Sequence, residues 1–207
     1  PSPCVDGPEE PVSGQSERFE AVMDAGALRL IRGINLNLRL VEPEDAAYIY
    51  ALRRDPAYNA HLSEVSGPAE DQRRWIESYK AREADGLEYY YMIERKDGQR
   101  CGVVRLYDIK NSRFTWGSWI LDHNKPRRAA LESAVLSFGV GFHILGLNEA
   151  NVEVQVDNTH AESFYRRLGM AETHRTTQNI HFVYSRARFD TDKANHLYIL
   201  EQDKQNA

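Results

Sequence analysis

One stretch of the chain constrains its fold more than any other: NVEVQVDNTHAESFYRRLGM, Asn151 to Met170. Val152, Val154 and Val156 alternate with Glu153, Gln155 and Asp157, the period-two pattern of a strand with one buried face. The period then changes abruptly. Asn158 has a short amide side chain suited to capping a helix, and Ala161, Phe164, Tyr165 and Leu168 follow at helical spacing until Gly169 stops them. A strand that feeds directly into a short amphipathic helix belongs to an α/β layer architecture.

The remaining segments extend this unit. Ile34, Leu36, Leu38 and Leu40 alternate with Asn35, Asn37 and Arg39, predicting a strand. In EPEDAAYIYALRRDP, Pro43 suits a first helical turn, the acids Glu42, Glu44 and Asp45 suit the positive end of a helix, and Pro56 ends the pattern. SGPAEDQRRWIESYKAREADG repeats that logic from Pro68, with Trp75, Ile76 and Tyr79 on one face. LEYYYMIER and RCGVVRLYD flank the turn signal Lys96-Asp97-Gly98, and SRFTWGSWILD follows through Lys110-Asn111. Ala129 to Leu145 carries Leu131, Ala134, Val135, Phe138, Phe142 and Leu145 at helical spacing. After Met170, THRTT-QN-IHFVYSRARF reads as a closing hairpin, with a polar helical tail near Lys193 to Leu200.

The predicted order is β-α-α-β-β-β-α-β-α-β-β, a single α/β domain over residues 28–207. Residues 1–27 open with PSPCVDGPEEPVSGQSERF, too poor in large apolar groups to offset their ordering entropy, and are expected to form a flexible tail. Met23 within it reads as a natural start.

Composition removes several functions. A formal charge of −5 argues against a general nucleic-acid binder, and no apolar run approaches the roughly 18 residues needed to span a bilayer. Cys4 and Cys101 are too few and too scattered for a disulfide frame or a zinc site, and the seven histidines form no metal constellation. With no secretory leader in the sequence, a reduced, cytoplasmic setting is expected.

The element order, with VEVQVDNTHAESFYRRLGM, resembles the GNAT superfamily of acetyl-CoA-dependent N-acetyltransferases over about residues 34–186. Members commonly end in this strand, Asn, short helix, Tyr and "LGF"-type turn; here Met170 stands for Phe. The resemblance implies a mixed, mostly antiparallel sheet of about seven strands, flanked by four or five helices and splayed into a V between its two central strands. It implies acetyl-CoA as cosubstrate and no metal. Asn158 would lie near the pantetheine arm, and Tyr165 would protonate the departing thiolate. Backbone groups of Trp119, Ile120 and Leu121 would pair with the pantetheine amides along a bulged strand. No acid lies within Phe114 to Leu121 to serve as base, so His61, Glu64, Asp108 and Asp122 are the candidates.

One feature departs from the family. Its glycine-rich turn, R/Q-x-x-G-x-G/A, holds a pyrophosphate on backbone N–H groups at a helix start. Aligned on Glu132 and Phe142, that turn here reads Lys125-Pro126-Arg127-Arg128-Ala129-Ala130, with arginine at the glycine position; a register starting at Arg127 is the alternative. Either the site still cradles phosphates, with Lys125, Arg127 and Arg128 adding charge, or it has decayed. Cations are unfavourable at the positive end of a helix without an anion nearby, which favours the first reading.

Within the superfamily, AALESAVLSFGVGFHILGLNEANVEVQVDNTHAESFYRRLGM looks most like members acetylating nucleotide-linked amino sugars for bacterial surface glycans. A protein α-amine, as in the ribosomal-protein acetyltransferases, is the alternative acceptor, and a non-catalytic ligand-binding module is the alternative class. Tyr89, Tyr90, Tyr91, Tyr107, Phe114, Trp116 and Trp119 could stack a base, though half should be core. The partner expected is thus a small molecule, with a homodimer left open.

Overall fold

The computed structural model describes residues 26–205. All but the end of the expected tail, Met23 included, lies outside the described residues. The ordered elements are β1 (Leu30–Arg32), β2 (Leu36–Leu40), a 3-10 turn (Pro43–Asp45), α1 (Ala46–Arg54) and α2 (Ala69–Ala84). The middle of the chain forms β3 (Tyr89–Arg95), β4 (Arg100–Lys110), β5 (Arg113–Leu121) and α3 (Ala129–Gly139), which widens into a π turn over Val140–Ile144. The last elements are β6 (Glu149–Gln155), α4 (Thr159–Leu168), β7 (Ala171–Arg175), β8 (Asn179–Ser185) and α5 (Arg186–Gln205). Eight strands form one sheet in the order β1-β2-β3-β4-β5-β6-β8-β7.

Helices cover both faces of this sheet, so there are two cores. Leu36, Leu38, Tyr91, Phe114, Trp116, Phe138, Phe142 and Phe189 meet on the side of α3 and α5. Ile49, Leu52, Ile76, Tyr79, Tyr90 and Met92 meet on the side of α1 and α2. The unbroken apolar run YYYMI follows from this: β3 is buried on both faces, so alternation has no polar side to express. Gly141 marks a close approach of helix to sheet, since a Cβ there would lie 2.3 Å from the Phe114 ring.

Two boundaries differ from expectation. An eighth strand, β1, adds an edge to β2, with Leu30 opposite Arg39 and Arg32 opposite Asn37. The closing hairpin ends at Ser185 rather than running through Phe189, because the Ser185 hydroxyl accepts the Arg188 N–H at 3.1 Å and starts α5. Phe189 then reaches the core from a helix. The polar tail expected near Lys193 to Leu200 is the middle of that same 20-residue helix.

The expected V is present. β5 and β6, the only parallel neighbours among the described strands, pair just from Arg113–Thr115 to Glu149–Asn151 and then separate. On its other side β5 bulges: Val103 pairs with Ile120 and Arg105 with Gly117, leaving an extra residue in β5. Ser118, inside the bulge, has φ +48.

Candidate functional site

The bulge and the V are held open by indoles. The Trp116 Nε1–H donates to the Ser137 hydroxyl at 2.8 Å, and the Trp119 Nε1–H to the Ser133 hydroxyl at 3.1 Å. Both serines belong to α3, so these bonds tie the helix to the diverging half of β5. From the other wall α4 brings in Tyr165, whose ring meets Trp116 edge-on at 5.9 Å and Trp119 at 6.3 Å. Phe164 and Phe182 complete the setting, each about 6.0 Å from Tyr165. Burial among these rings pushes the Tyr165 phenol well above its ordinary range, because the phenolate would lose its hydration. Burial thus favours the protonated phenol over the phenolate.

Asn158 starts α4 as its sequence position implies. Its side-chain oxygen accepts the Ala161 N–H at 3.3 Å, and Gly169, at φ +114, closes the helix. Between the walls lies a cleft of about 660 Å³, lined among others by His61, Asp108, Trp119, Asn158 and Tyr165. Five of the residues expected to matter thus converge. Ser118, Tyr107 and Gln155 also line the cleft, and sequence reasoning did not single out Ser118 or Gln155. Gln155 follows from strand period, since it sits on the face of β6 opposite the valines. Ser118 had no local signal, because a bulge is a property of two strands.

The loop between α1 and α2 bridges the mouth of the V. Its Tyr58 hydroxyl accepts the His123 N–H just beyond β5 at 2.9 Å. His61 Nδ1 lies 3.3 Å from the Gln155 side-chain oxygen and 3.4 Å from Asp157 at the end of β6.

Two base candidates lie elsewhere. Asp122 is buried against α1, accepting the Tyr48 hydroxyl at 2.7 Å and the Asn124 N–H at 2.8 Å. Glu64 is exposed beside Arg53 and Arg54 in a separate depression. Ile120 and Leu121 bury their side chains in or against the two cores, so they can face the V only through their backbones. Of the seven aromatics, Tyr89, Tyr90, Tyr91, Phe114 and Trp116 are buried, which leaves Tyr107 and Trp119 partly accessible.

At the open end of the V, α3 begins on Arg128 at φ 63, ψ 15, a left-handed conformation. A glycine adopts it freely; any other residue gives up roughly 1–2 kcal/mol. No side chain caps this helix. Lys125 and Arg127 are exposed, Ala129 is buried and Ala130 half-buried. Asp203, from the far end of α5, takes the Arg128 Nε–H at 2.7 Å and lies 3.4 Å from Arg127 Nε.

Glu132, one turn on, does structural work that the sequence reading missed. It is buried, and its carboxylate accepts the N–H groups of Asn35 at 3.0 Å and Leu36 at 2.9 Å, tying α3 to the start of β2. Burial raises its pKa, while those backbone N–H groups pull it down. A Cβ at Gly33 would sit 2.4 Å from its Oε2, so the β1–β2 turn needs glycine there. An acid on the apolar face of a helix was the available signal.

A splayed mixed sheet, a bulge at the splay and an uncapped basic helix start beside it define the architecture of an acyltransferase. The model of the acetyltransferase (GNAT) domain matches residues 35–171, and the chain belongs to this family. None of the curated proteins compared with it matches. Among solved structures it is similar to apo FdhC, a nucleotide-linked sugar GNAT, at 36% identity and TM-score 0.73, covering 82% of this chain and 95% of that one. Two others share the fold at lower identity. One is the spermidine N-acetyltransferase of Vibrio cholerae with CoA and spermine, at 18% identity and TM-score 0.66, covering 75% and 98%. The other is a candidate ribosomal-protein-serine acetyltransferase of Vibrio cholerae, at 15% identity and TM-score 0.63, covering 75% and 97%. The protein is a GNAT acetyltransferase. Among the described residues no group of His, Cys, Asp or Glu is placed to hold a metal, and no helix is long and apolar enough to cross a membrane.

Proposed function

We propose that this acetyltransferase carries an acetyl group from acetyl-CoA directly to the amino group of a nucleotide-linked amino sugar. The observation that carries the transfer chemistry is the placement of Tyr165: a protonated phenol on one wall of the V, facing the bulge of β5. The likeness to FdhC at 36% identity supports the acceptor class.

The residues fit the cosubstrate. The left-handed turn at Arg128 and the uncapped amides of Ala130 and Leu131 form a phosphate cradle, and Lys125, Arg127 and Arg128 supply charge where Pro126 lacks an N–H. The small side chain of half-buried Ala130 leaves room for close approach. Beyond Thr115 the outer edge of β5 has lost its partner strand, so backbone groups at Trp119 to Leu121 are available to an extended amide chain. Asn158 lies across from them in the cleft.

Acetyl-CoA supplies a thioester whose carbonyl carbon is open to attack. The acceptor amine enters uncharged, forms the N–C bond, and the C–S bond breaks. An N–H near Ile120 or Leu121 holds the developing oxyanion. Tyr165 gives its proton to the departing sulfur and regains one from solvent. His61 and Asp108, both in the cleft, are the acceptors for the amine's proton, directly or through water.

Thiol release from acetyl-CoA, followed with a panel of nucleotide-linked amino sugars, tests the reading. Turnover with at least one of them is expected. Turnover with spermidine or a peptide α-amine and with none of the sugars overturns the acceptor assignment.

A further inference from the structure

We infer that a second compartment beside the cleft receives the nucleoside diphosphate of the acceptor, held by Trp75, Arg82, Arg105, Tyr107 and Lys110; this rests on the acceptor class proposed above. The compartment has a volume of about 530 Å³ and shares Tyr107 and Asp108 with the cleft, so the two spaces adjoin. They also lie on one face of the sheet. Val103 packs into the α1/α2 core, and by the period of a strand Arg105 and Tyr107 point the same way.

Its lining is an alternation of planar cations and rings. The Arg82 guanidinium lies 5.3 Å from the Trp75 ring, and that of Arg105 lies 5.5 Å from Trp75 and 4.0 Å from Tyr107. Glu88, buried beneath, fixes both cations: it accepts the Arg82 Nε–H at 2.6 Å and an Arg105 Nη1–H at 2.8 Å. Each guanidinium keeps further N–H groups with no protein partner among the described residues, and the buried Arg105 Nε has none at all. Lys110 stands at the rim, exposed and outside any ion pair among the described residues.

A tie between α2 and β4 would need one arginine and one carboxylate. Two oriented guanidinia, a lysine and two accessible rings exceed that need and match a different object. Guanidinium forks suit the paired oxygens of phosphates, and the guanidinium planes with the partly exposed ring edges offer a nucleobase apolar and cationic surface. A polyamine fits poorly here. Three cations line the compartment, and of its two carboxylates Glu88 is already engaged by two arginines. With the base and diphosphate in this compartment, the shared Tyr107 and Asp108 mark where the sugar turns into the cleft toward Tyr165.

The test is calorimetry on the full chain with UDP and dTDP as probes, on wild type and on Lys110→Glu and Trp75→Leu, with thermal melts to confirm that both variants fold. At least one probe is expected to bind wild type and to bind each variant tenfold or more weakly. Steady-state kinetics should show the KM of the nucleotide-linked amino sugar rising tenfold or more while that of acetyl-CoA stays put. If such a sugar is turned over but neither folded variant changes its KM, or no probe competes with it, this compartment is not the nucleotide site and the acceptor class stands. If no nucleotide-linked sugar is turned over, the acceptor class falls. The compartment would then stand only on tight probe binding that both variants abolish.

Discussion

Two helices begin at the open end of the V, and they begin in opposite ways. At α4 the Asn158 side chain accepts the Ala161 N–H, so the helix start is completed by its own cap. At α3 no side chain caps the start, the residue before it is an arginine in a left-handed conformation, and cations crowd the positive end of the dipole. The first is a finished structure that positions Tyr165, the proposed general acid, two turns along. The second is energetically incomplete and borrows Asp203 from α5 to balance its charge. A helix start left uncapped and basic suits an anion, which is the role proposed for it above.

Variants at the two starts should therefore separate cleanly. The largest effect belongs to Tyr165→Phe: kcat falls by roughly 10²–10⁴-fold, the range for losing a general acid, with little change in the KM for acetyl-CoA. Retention of full turnover would remove Tyr165 from the chemistry. Next is Arg127→Ala combined with Arg128→Ala, which should weaken acetyl-CoA binding by about tenfold or more, since each lost charge-assisted bond is worth about 1.5–3 kcal/mol before compensation. The melting temperature should change little, because Ala keeps the left-handed backbone and the ion pairs lost to Asp203 involve exposed arginines of small net worth. Weaker folding with unchanged binding would make the turn merely structural.

Asn158→Ala should do the reverse, costing about 1 kcal/mol of stability from the lost cap and shifting the thermal midpoint by a few degrees. Asp203→Asn should produce a smaller change still: acetyl-CoA binds a few-fold more tightly, because a competing carboxylate has been taken from Arg128. Weaker binding in that variant would mean that Asp203 orders the arginines for the ligand instead. The comparison extends to pH. Tyr165 is raised by burial, and an acid that must keep its proton gains range on the alkaline side when its pKa rises. So kcat should not decline through Tyr165 between about pH 7 and 10. A decline in that range that disappears in Tyr165→Phe would contradict the burial seen here.

The site was unevenly legible. The α4 start could be read from its letters because cap, helix and stop are local: Asn158, Tyr165 and Gly169 act within one short segment. The α3 start could be read only as a departure, since nothing in Lys-Pro-Arg-Arg says that Arg128 will adopt the glycine conformation. Asp122 and Glu64 looked as available as His61 and Asp108. Position along the chain carries no information on which loop residues turn into the cleft and which are engaged outside it.

What the sequence determined by itself was periodic or local: the strand of alternating valines, the two acidic helix starts, the hairpin signals and the cap of α4. These depend on backbone geometry within a few residues, which side-chain spacing reports directly. The tertiary structure alone decided that β5 parts from β6 after three pairs, that Ser118 forms a bulge, and that Asp203 crosses from α5 to meet the arginines. It also decided that Glu132 spans nearly a hundred residues to tie down β2. Each of these is a contact between segments far apart in the chain, fixed by how two faces of one sheet fill with helices, and no local pattern encodes that.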